Sequence, residues 1–200
     1  MSVKISVVIP TYTLNKELEN FAIRAILSYK EQADEIVVTE DSGMFSHDIF
    51  QLADIYIYGK ENVGFTANVN RGWRNANGEY TMIVNSDTYL MKGNLSDLCI
   101  PNMVTSPEIK NQYIDRLAGP FFVIPRTVKE ERGMLIEAMK TYSSDSEYDE
   151  RVKDIFQKVP SVQIYHEQAQ TVKAAGVEGG EEQQRDREIY AELIKRGKVK

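Results

Sequence analysis

The chain opens on Ile5-Ser6-Val7-Val8-Ile9, a short β-branched run ended by Pro10, which fits a buried strand and is too brief for a helix. From Asn15 the spacing changes. Leu18, Ala22, Ile23, Ala25, Ile26 and Tyr29 recur at helical intervals, Asn15 can cap the first turn, and Glu17 there favours the helix dipole. Glu35-Ile36-Val37-Val38-Thr39 reads as a second strand, broken by Glu40-Asp41-Ser42-Gly43, whose side chains and glycine suit a tight turn. Strand, helix and strand in this order predict a parallel crossover.

A third strand at Asp54–Tyr58 leads to the turn signal Glu61-Asn62-Val63-Gly64 and a helix from Phe65 to about Asn75, closed by Asn77-Gly78. On that helix Trp73, with Val69 and Ala76, reads as packing and not as a platform for a sugar. Tyr80–Val84 makes a fourth strand whose carboxyl end carries Asn85-Ser86-Asp87. Alternation over residues 3–90 predicts an α/β sheet, and such sheets bind ligands at the carboxyl ends of their strands. Tyr12, Asp41 and Asp87 all follow strands. The second half is less regular: an extended segment at Leu117–Ile124, a helix over Val128–Thr141, a polar acidic block at Tyr142–Glu150 for a loop and helix start, and a return strand at Ser161–Tyr165. After Gly179-Gly180 comes a charged tail whose apolar stripe is Ile189, Tyr190 and Leu193. No internal repeat divides the chain, so a single domain is expected over 1–200.

Composition narrows the function. With 200 residues, 42% hydrophobic and 27% charged, the chain has the profile of one globular domain. Acidic residues outnumber basic ones by 30 to 24, for a net charge of −6, which argues against a broad nucleic-acid interface. Cys99 is the only cysteine, so an internal disulfide and a Cys-rich zinc site are both excluded and a reducing compartment fits. The first residues lack the basic region and long apolar stretch of a signal peptide, and the apolar runs at Ile5–Ile9 and Phe121–Ile124 fall far short of the ~20 residues that cross a membrane. The expectation is a cytoplasmic protein whose membrane contacts, if any, are peripheral.

Several ordered motifs carry a resemblance. Ile5–Tyr12 (ISVVIPTY), Glu35–Gly43 (EIVVTEDSG), Asn62-Val63-Gly64, Ala67-Asn68-Val69-Asn70, Gly78-Glu79-Tyr80 and Asn85-Ser86-Asp87 stand in the order and spacing of a known family. The sequence resembles the inverting GT-A glycosyltransferases of the family 2 type, which use nucleotide-sugar donors. The resemblance implies a mostly parallel GT-A (Rossmann-like) sheet flanked by helices, with a nucleotide-sugar-binding half at 1–90, an acceptor and catalytic half at 91–178 and the tail at 179–200. It sets Asn85-Ser86-Asp87 at the family's DXD position, with Mn2+ or Mg2+ as cofactor and a UDP- or GDP-linked sugar as donor. The acceptor would be a glycan, a glycoprotein or a lipid-linked molecule.

The chemistry agrees with that reading. Sugar transfer from a nucleoside diphosphate builds negative charge on the departing phosphate, which a divalent cation stabilises. Mg2+ and Mn2+ prefer oxygen ligands and often take only one or two from protein, so Asp87 can suffice. Asn85 supplies no charge and is expected only to orient the sugar, the ribose or a metal-bound water, and weak metal affinity without donor follows. Against this stands the plain reading of Asn85-Ser86-Asp87 as an Asx turn or helix cap. The family holds the base with an aromatic residue after the first strand and an acid after the second. Tyr12 and Asp41 match these, with Glu40 as a substitute for Asp41; a turn aspartate and an ordinary buried tyrosine are the bland alternative. Pro10, Thr11, Asn70, Asn85 and Ser86 are further candidates for the nucleotide or its phosphates. Arg71 is a candidate to balance the diphosphate charge, or a residue of a solvated helix face.

An inverting transfer also needs a base for the acceptor hydroxyl. The family places it in a Glu-Asp-x-Asp pattern followed by an Arg, and Ser144-Asp145-Ser146-Glu147 with Arg151 has that spacing. Asp145 is the expected base and Asp149 the residue that takes the role if the register slips. An acid-decorated helix N-terminus explains the same segment. His166, after the return strand, matches a histidine that completes the metal site in some members; a structural role is the other reading. Two rival functions remain: a sugar nucleotidyltransferase of the same fold, and a non-catalytic nucleotide-binding relative.

Overall fold

The computed structural model describes residues 4–117, 119–168 and 180–197. Its first half runs β1 (Ile5–Thr11), α1 (Lys16–Lys30), β2 (Glu35–Glu40), α2 (His47–Leu52), β3 (Ile55–Tyr58), α3 (Phe65–Asn75) and β4 (Tyr80–Val84). The alternation agrees with the sequence pattern, and the Asn15 side chain caps α1 by accepting the Leu18 N–H at 3.0 Å. The short helix α2 is an addition that the pattern did not predict. Ser46 caps it through the Ile49 N–H, and Ile49 is its one buried residue.

The second half runs β5 (Thr88–Lys92), a 3-10 turn (Leu95–Leu98), β6 (Val104–Ile109), β7 (Phe121–Pro125), α4 (Arg126–Arg132), α5 (Ser144–Val152), β8 (Phe156–His166) and α6 (Glu181–Lys195). Here the expectations need correcting. The helix foreseen over Val128–Thr141 ends at Arg132, because Gly133 takes φ +77° and its N–H turns back to the Lys129 carbonyl at 2.9 Å. The extended segment begins at Phe121 and not at Leu117; Ala118 lies outside the described residues, as does the boundary placed between 178 and 179. The return strand is longer than foreseen and passes through Pro160. It can do so because the β6–β8 register jumps from Pro107↔Val159 to Glu108↔Gln163, so that Pro160 falls in a bulge where no ladder N–H is needed. Residues Glu181–Lys195 of the charged tail form helix α6.

The eight strands form one sheet in the order β3-β2-β1-β4-β7-β6-β8-β5. The first four are mutually parallel, whereas β7 runs antiparallel to β4 and β6, and β8 runs parallel to β6 and antiparallel to β5. Side chains on a strand alternate between faces. Val7 and Ile9 of β1 therefore pack with Ile26, Tyr29 and Phe121, while Val8 packs with Val69, Trp73, Phe122 and Tyr148 on the other side. With both faces covered, β1 and β4 are buried along their whole length, which is why they are mostly apolar and show no regular alternation with charged residues. Trp73 is fully buried, its ring edge-on to Tyr148 at 5.8 Å, in agreement with a packing role. No helix among the described residues is long and apolar enough to cross a membrane.

Helix α3 lies close on the sheet because Gly72 has no side chain: a Cβ there would come within 2.5 Å of Val8 Cγ1 and 3.1 Å of Thr39 Cγ2. Overpacking of this kind costs about 1–3 kcal/mol and helix propensity returns about 1 kcal/mol, so Gly72→Ala is expected to lower stability on balance. Urea unfolding measures it, and an unchanged midpoint would contradict the close approach.

Candidate active site

Strands β1, β2 and β4 all end on one edge of the sheet, and over that edge lies a cavity of about 600 Å³. Pro10, Thr11 and Tyr12 line it from β1 and the following loop, Asp41 from the end of β2, and Asn85, Ser86 and Asp87 from the end of β4. The second half supplies the facing wall through Lys140–Asp145, His166 and Glu182. Most of the candidates scattered along the sequence therefore meet at one place.

After β4 the chain turns sharply, with the Thr88 N–H at 3.2 Å and its hydroxyl at 2.7 Å from the Asn85 carbonyl. Asn85-Ser86-Asp87 is thus a turn as well as a cavity wall, and the two readings of the motif are compatible. The turn feeds β5, which pairs with β8 so that Thr88 stands opposite His166. As a result His166 Nε2 lies 3.1 Å from Asp87 Oδ1, both residues nearly buried. Asn111 clasps the His166 backbone on both sides, and Gln112 Nε2 stands 3.1 Å from His166 Nδ1.

Among the described residues no group of three or more His, Cys, Asp or Glu side chains is placed to hold a metal ion. Asp87 and His166 form a pair only, which fits a cation that takes its remaining ligands from a diphosphate and water. A further sign of fit is the Asn85 side-chain oxygen, buried with no hydrogen-bond partner among the described residues beside this pair. Buried polar atoms are rarely left so unless a ligand or water completes them.

At the other end of the cavity, Glu40 has a role that the sequence did not reveal. Fully buried, it accepts hydrogen bonds from the Thr13, Asp41 and Ser42 N–H groups and from the Thr11 and Thr13 hydroxyls. It ties the loop of Tyr12 to the loop of Asp41 and does not line the cavity, so it is not a substitute for Asp41. Asp41 itself keeps one oxygen on the Val63 N–H at 3.0 Å and the other 3.7 Å from Arg71. Burial pushes its carboxyl from 3.8 up to about 6, against the opposing pull of that N–H and of the guanidinium.

Two candidates are corrected. Arg71 stands behind Asp41, bonded to the Glu40 carbonyl at 2.9 Å and to Asn68 Oδ1 at 2.6 Å, and does not line the cavity. Asn70 is buried away from it. Its amide donates to the Leu135 carbonyl at 2.8 Å and to Glu137, and its oxygen accepts the Leu135 N–H, which locks α3 to the loop after α4. The residue that does reach the cavity from this helix is Asn68, which donates to the carbonyls of both Thr11 and Thr39 where β1 and β2 diverge.

In the acidic block, Asp145 lines the cavity from the first turn of α5, accepting the Gly119 N–H at 3.1 Å and the Ser146 N–H at 2.8 Å. Asp149, one turn on, accepts the Leu117 N–H at 3.0 Å and does not line it. Burial pushes the Asp149 carboxyl up. Arg151 is a brace: it pairs with buried Glu147 at 2.7 Å and donates to the Arg132 and Met134 carbonyls. The sequence reading missed Phe65, Asn68, Lys140, Thr141, Tyr142 and Glu182 as wall residues. Asn68 lay within a motif already noted, whereas the others give no local signal.

A sheet that passes from parallel to antiparallel strands, with such a cavity on the carboxyl edge of its parallel half, is a GT-A fold. Residues 6–99, just under half of the chain, match Glycosyl transferase family 2. That match and the fold agree with the resemblance of the motifs to the GT-A glycosyltransferases of the family 2 type. Among solved structures, TarS 1-349 of S. aureus in complex with UDP superposes with a TM-score of 0.64 at 16% identity, over 81% of this chain and 60% of that one. The mannosyltransferase PcManGT from Pyrobaculum calidifontis, in complex with GDP-Man and Mn2+, gives 0.62 at 15% identity over 96% and 69%. A longer TarS structure gives 0.62 at 18% identity, with this chain spanning 36% of its length. Identities this low speak for the fold. No curated protein matches the sequence.

The raised carboxyl of Asp41 has a consequence for stability. Between its usual 3.8 and about 6 the folded state binds more protons than the unfolded one, so stability falls as pH rises through that window and stays reduced above it. Asp41→Asn is expected to flatten this fall and raise the thermal midpoint at pH 7. Melting curves taken across the window check it, and a variant that is no more stable at pH 7 would contradict the assignment.

Proposed function

We propose that this chain transfers a sugar, with inversion, from a nucleotide-sugar donor to an acceptor hydroxyl. The observation that carries the reading is the convergence of Tyr12, Asp41, Asp87, His166 and Asp145 on one cavity. Tyr12 stacks on the nucleobase and Asp41 accepts a ring N–H. Asp87 and His166 would hold Mn2+ or Mg2+, which when bound offsets the negative charge of the leaving diphosphate. Asn85 and Ser86 contact the donor beside them. Asp145 takes the proton of the acceptor hydroxyl as its oxygen attacks the anomeric carbon, held in place by the Gly119 N–H.

The donor is a UDP- or GDP-linked sugar. The related folds were solved with UDP, UDP-GlcNAc and GDP-Man, the last with Mn2+. The acceptor is a glycan, a glycoprotein or a lipid-linked molecule. The lone Cys99, whose thiol burial pushes up to about 12, suits a reducing cytoplasm. A nucleotidyltransferase is disfavoured because Pro10-Thr11-Tyr12-Thr13-Leu14 after β1 is no glycine-rich basic loop for phosphates. A non-catalytic relative would bind nucleotide without cleaving a donor, and hydrolysis of a nucleotide sugar with Mn2+ separates it from an enzyme.

Thermal unfolding against UDP, GDP and their sugar derivatives, with and without Mn2+, tests the reading, since a ligand bound only by the folded state raises apparent stability. Stabilisation by a nucleoside diphosphate that depends on Mn2+ is expected, and none by any of them would refute it. Asp87→Ala should remove the Mn2+-dependent part. Asp145→Asn should leave donor binding intact and lower turnover at least ~100-fold, the usual scale for a lost general base. Full turnover in Asp145→Asn with loss in Asp149→Asn would move the role to Asp149.

A further inference from the structure

Helix α6 carries a carboxylate that none of these roles uses. Asp186 is fully buried, the one buried residue of a helix whose apolar residues Ile189, Tyr190 and Leu193 are only half-buried. Its Oδ2 accepts the backbone N–H groups of both Thr141 and Tyr142, each at 2.9 Å. Its Oδ1 is buried with no hydrogen-bond partner among the described residues. One turn earlier Glu182 accepts the Thr141 hydroxyl at 3.0 Å and lines the cavity, while Arg185 donates to the Ala138 carbonyl at 3.1 Å.

The segment so gripped is the wall from Lys140 to Asp145, which has no regular structure until Ser144. Backbone N–H groups outside helix and sheet need partners elsewhere, and here a side chain from the far end of the chain supplies the acceptor. On its other side the same segment is tied to α3 through the Thr66 N–H, which donates to the Lys140 carbonyl at 2.9 Å. A buried carboxylate with one oxygen unsatisfied is costly, and an apolar side chain would fill the place at less cost if filling were its only task. The wall leads directly to Asp145, through Ser143 at φ +64°. For a non-glycine residue this left-handed backbone persists only when its surroundings fix it.

We propose that Asp186 is a positioning residue for the active site: by fixing the Thr141 and Tyr142 backbone it holds the wall beside Asp145, so that α6 is part of the catalytic machinery. Tyr12, Asp41 and Asp87 are carried by other elements, so the nucleotide end does not depend on it. The kinetic consequence rests on the proposed transfer activity, whereas the structural one does not.

Amide hydrogen exchange at Thr141 and Tyr142 in the full chain, without ligand, is the first readout. Asp186→Ala should speed it at least ~10-fold while the unfolding transition stays cooperative; Asp186→Asn, which keeps an acceptor oxygen in place, should give an intermediate rate. In the same variants the affinity for UDP or GDP with Mn2+ should stay within about 3-fold of the parent. Turnover should fall at least ~10-fold through kcat and recover in part in Asp186→Asn. If Asp186→Ala does not fold, the Asp186→Asn intermediate values carry the test. Unchanged amide protection would overturn the proposal, and so would faster exchange with undiminished kcat. Failure of the unsubstituted chain to bind either nucleotide would refute the functional reading, and the exchange result would still decide whether Asp186 holds the wall.

Discussion

The site depends on the pairing of β5 with β8. A parallel sheet alone delivers its functional residues side by side along one edge, each at the end of its own strand. The turn at Asn85 sends the chain back into β5, and β8 returns antiparallel beside it, so a histidine from late in the sequence faces an aspartate from its middle at 3.1 Å. The Tyr29 hydroxyl beneath, bonded to Thr88 at 3.0 Å, anchors that turn to α1. Without this reversal the cavity would keep Tyr12 and Asp41 but lack the His166 imidazole beside Asp87.

Around that pairing the carboxylates divide by whether they reach the cavity. Glu40 accepts five hydrogen bonds and Glu147 is paired with Arg151; both are buried away from it and both act as braces. Asp41, Asp87 and Asp145 line the cavity, and the buried Oδ1 of Asp41 has no hydrogen-bond partner among the described residues. Asp41 is the clearest case, because burial without full compensation raises its carboxyl to about 6 and sets it against folding at neutral pH. Such a cost at a ligand-facing group is the usual mark of a site kept for binding.

The first half was legible because each element there is specified locally. β-branched runs gave β1, β2 and β4, Asn15 marked the start of α1, and Tyr12, Asp41 and Asp87 were placed by standing just after strands. The second half was less so, because tertiary contacts decide it. Gly133 ends a helix that periodicity alone extends to Thr141, and Pro160 hides a strand that a register bulge admits. Asn70 and Arg71 shared a motif with Asn68, and only the direction each side chain takes from α3 separates a cavity residue from two locks. Glu182 and Asp186 sit in a charged stretch whose pattern reads as solvated; the partners that bury Asp186 are backbone amides some 45 residues away, which no pattern of side chains records.

In the proposed function Asp87 and His166 together meet the cation of a nucleoside diphosphate whose base lies between Tyr12 and Asp41. Anomalous scattering from Mn2+ in crystals grown with that nucleotide tests it most directly. A single peak in contact with both Asp87 and His166 is expected, with the diphosphate beside it and the base against Tyr12. A peak at other residues, or a nucleotide bound with its base away from Tyr12 and Asp41, would contradict it.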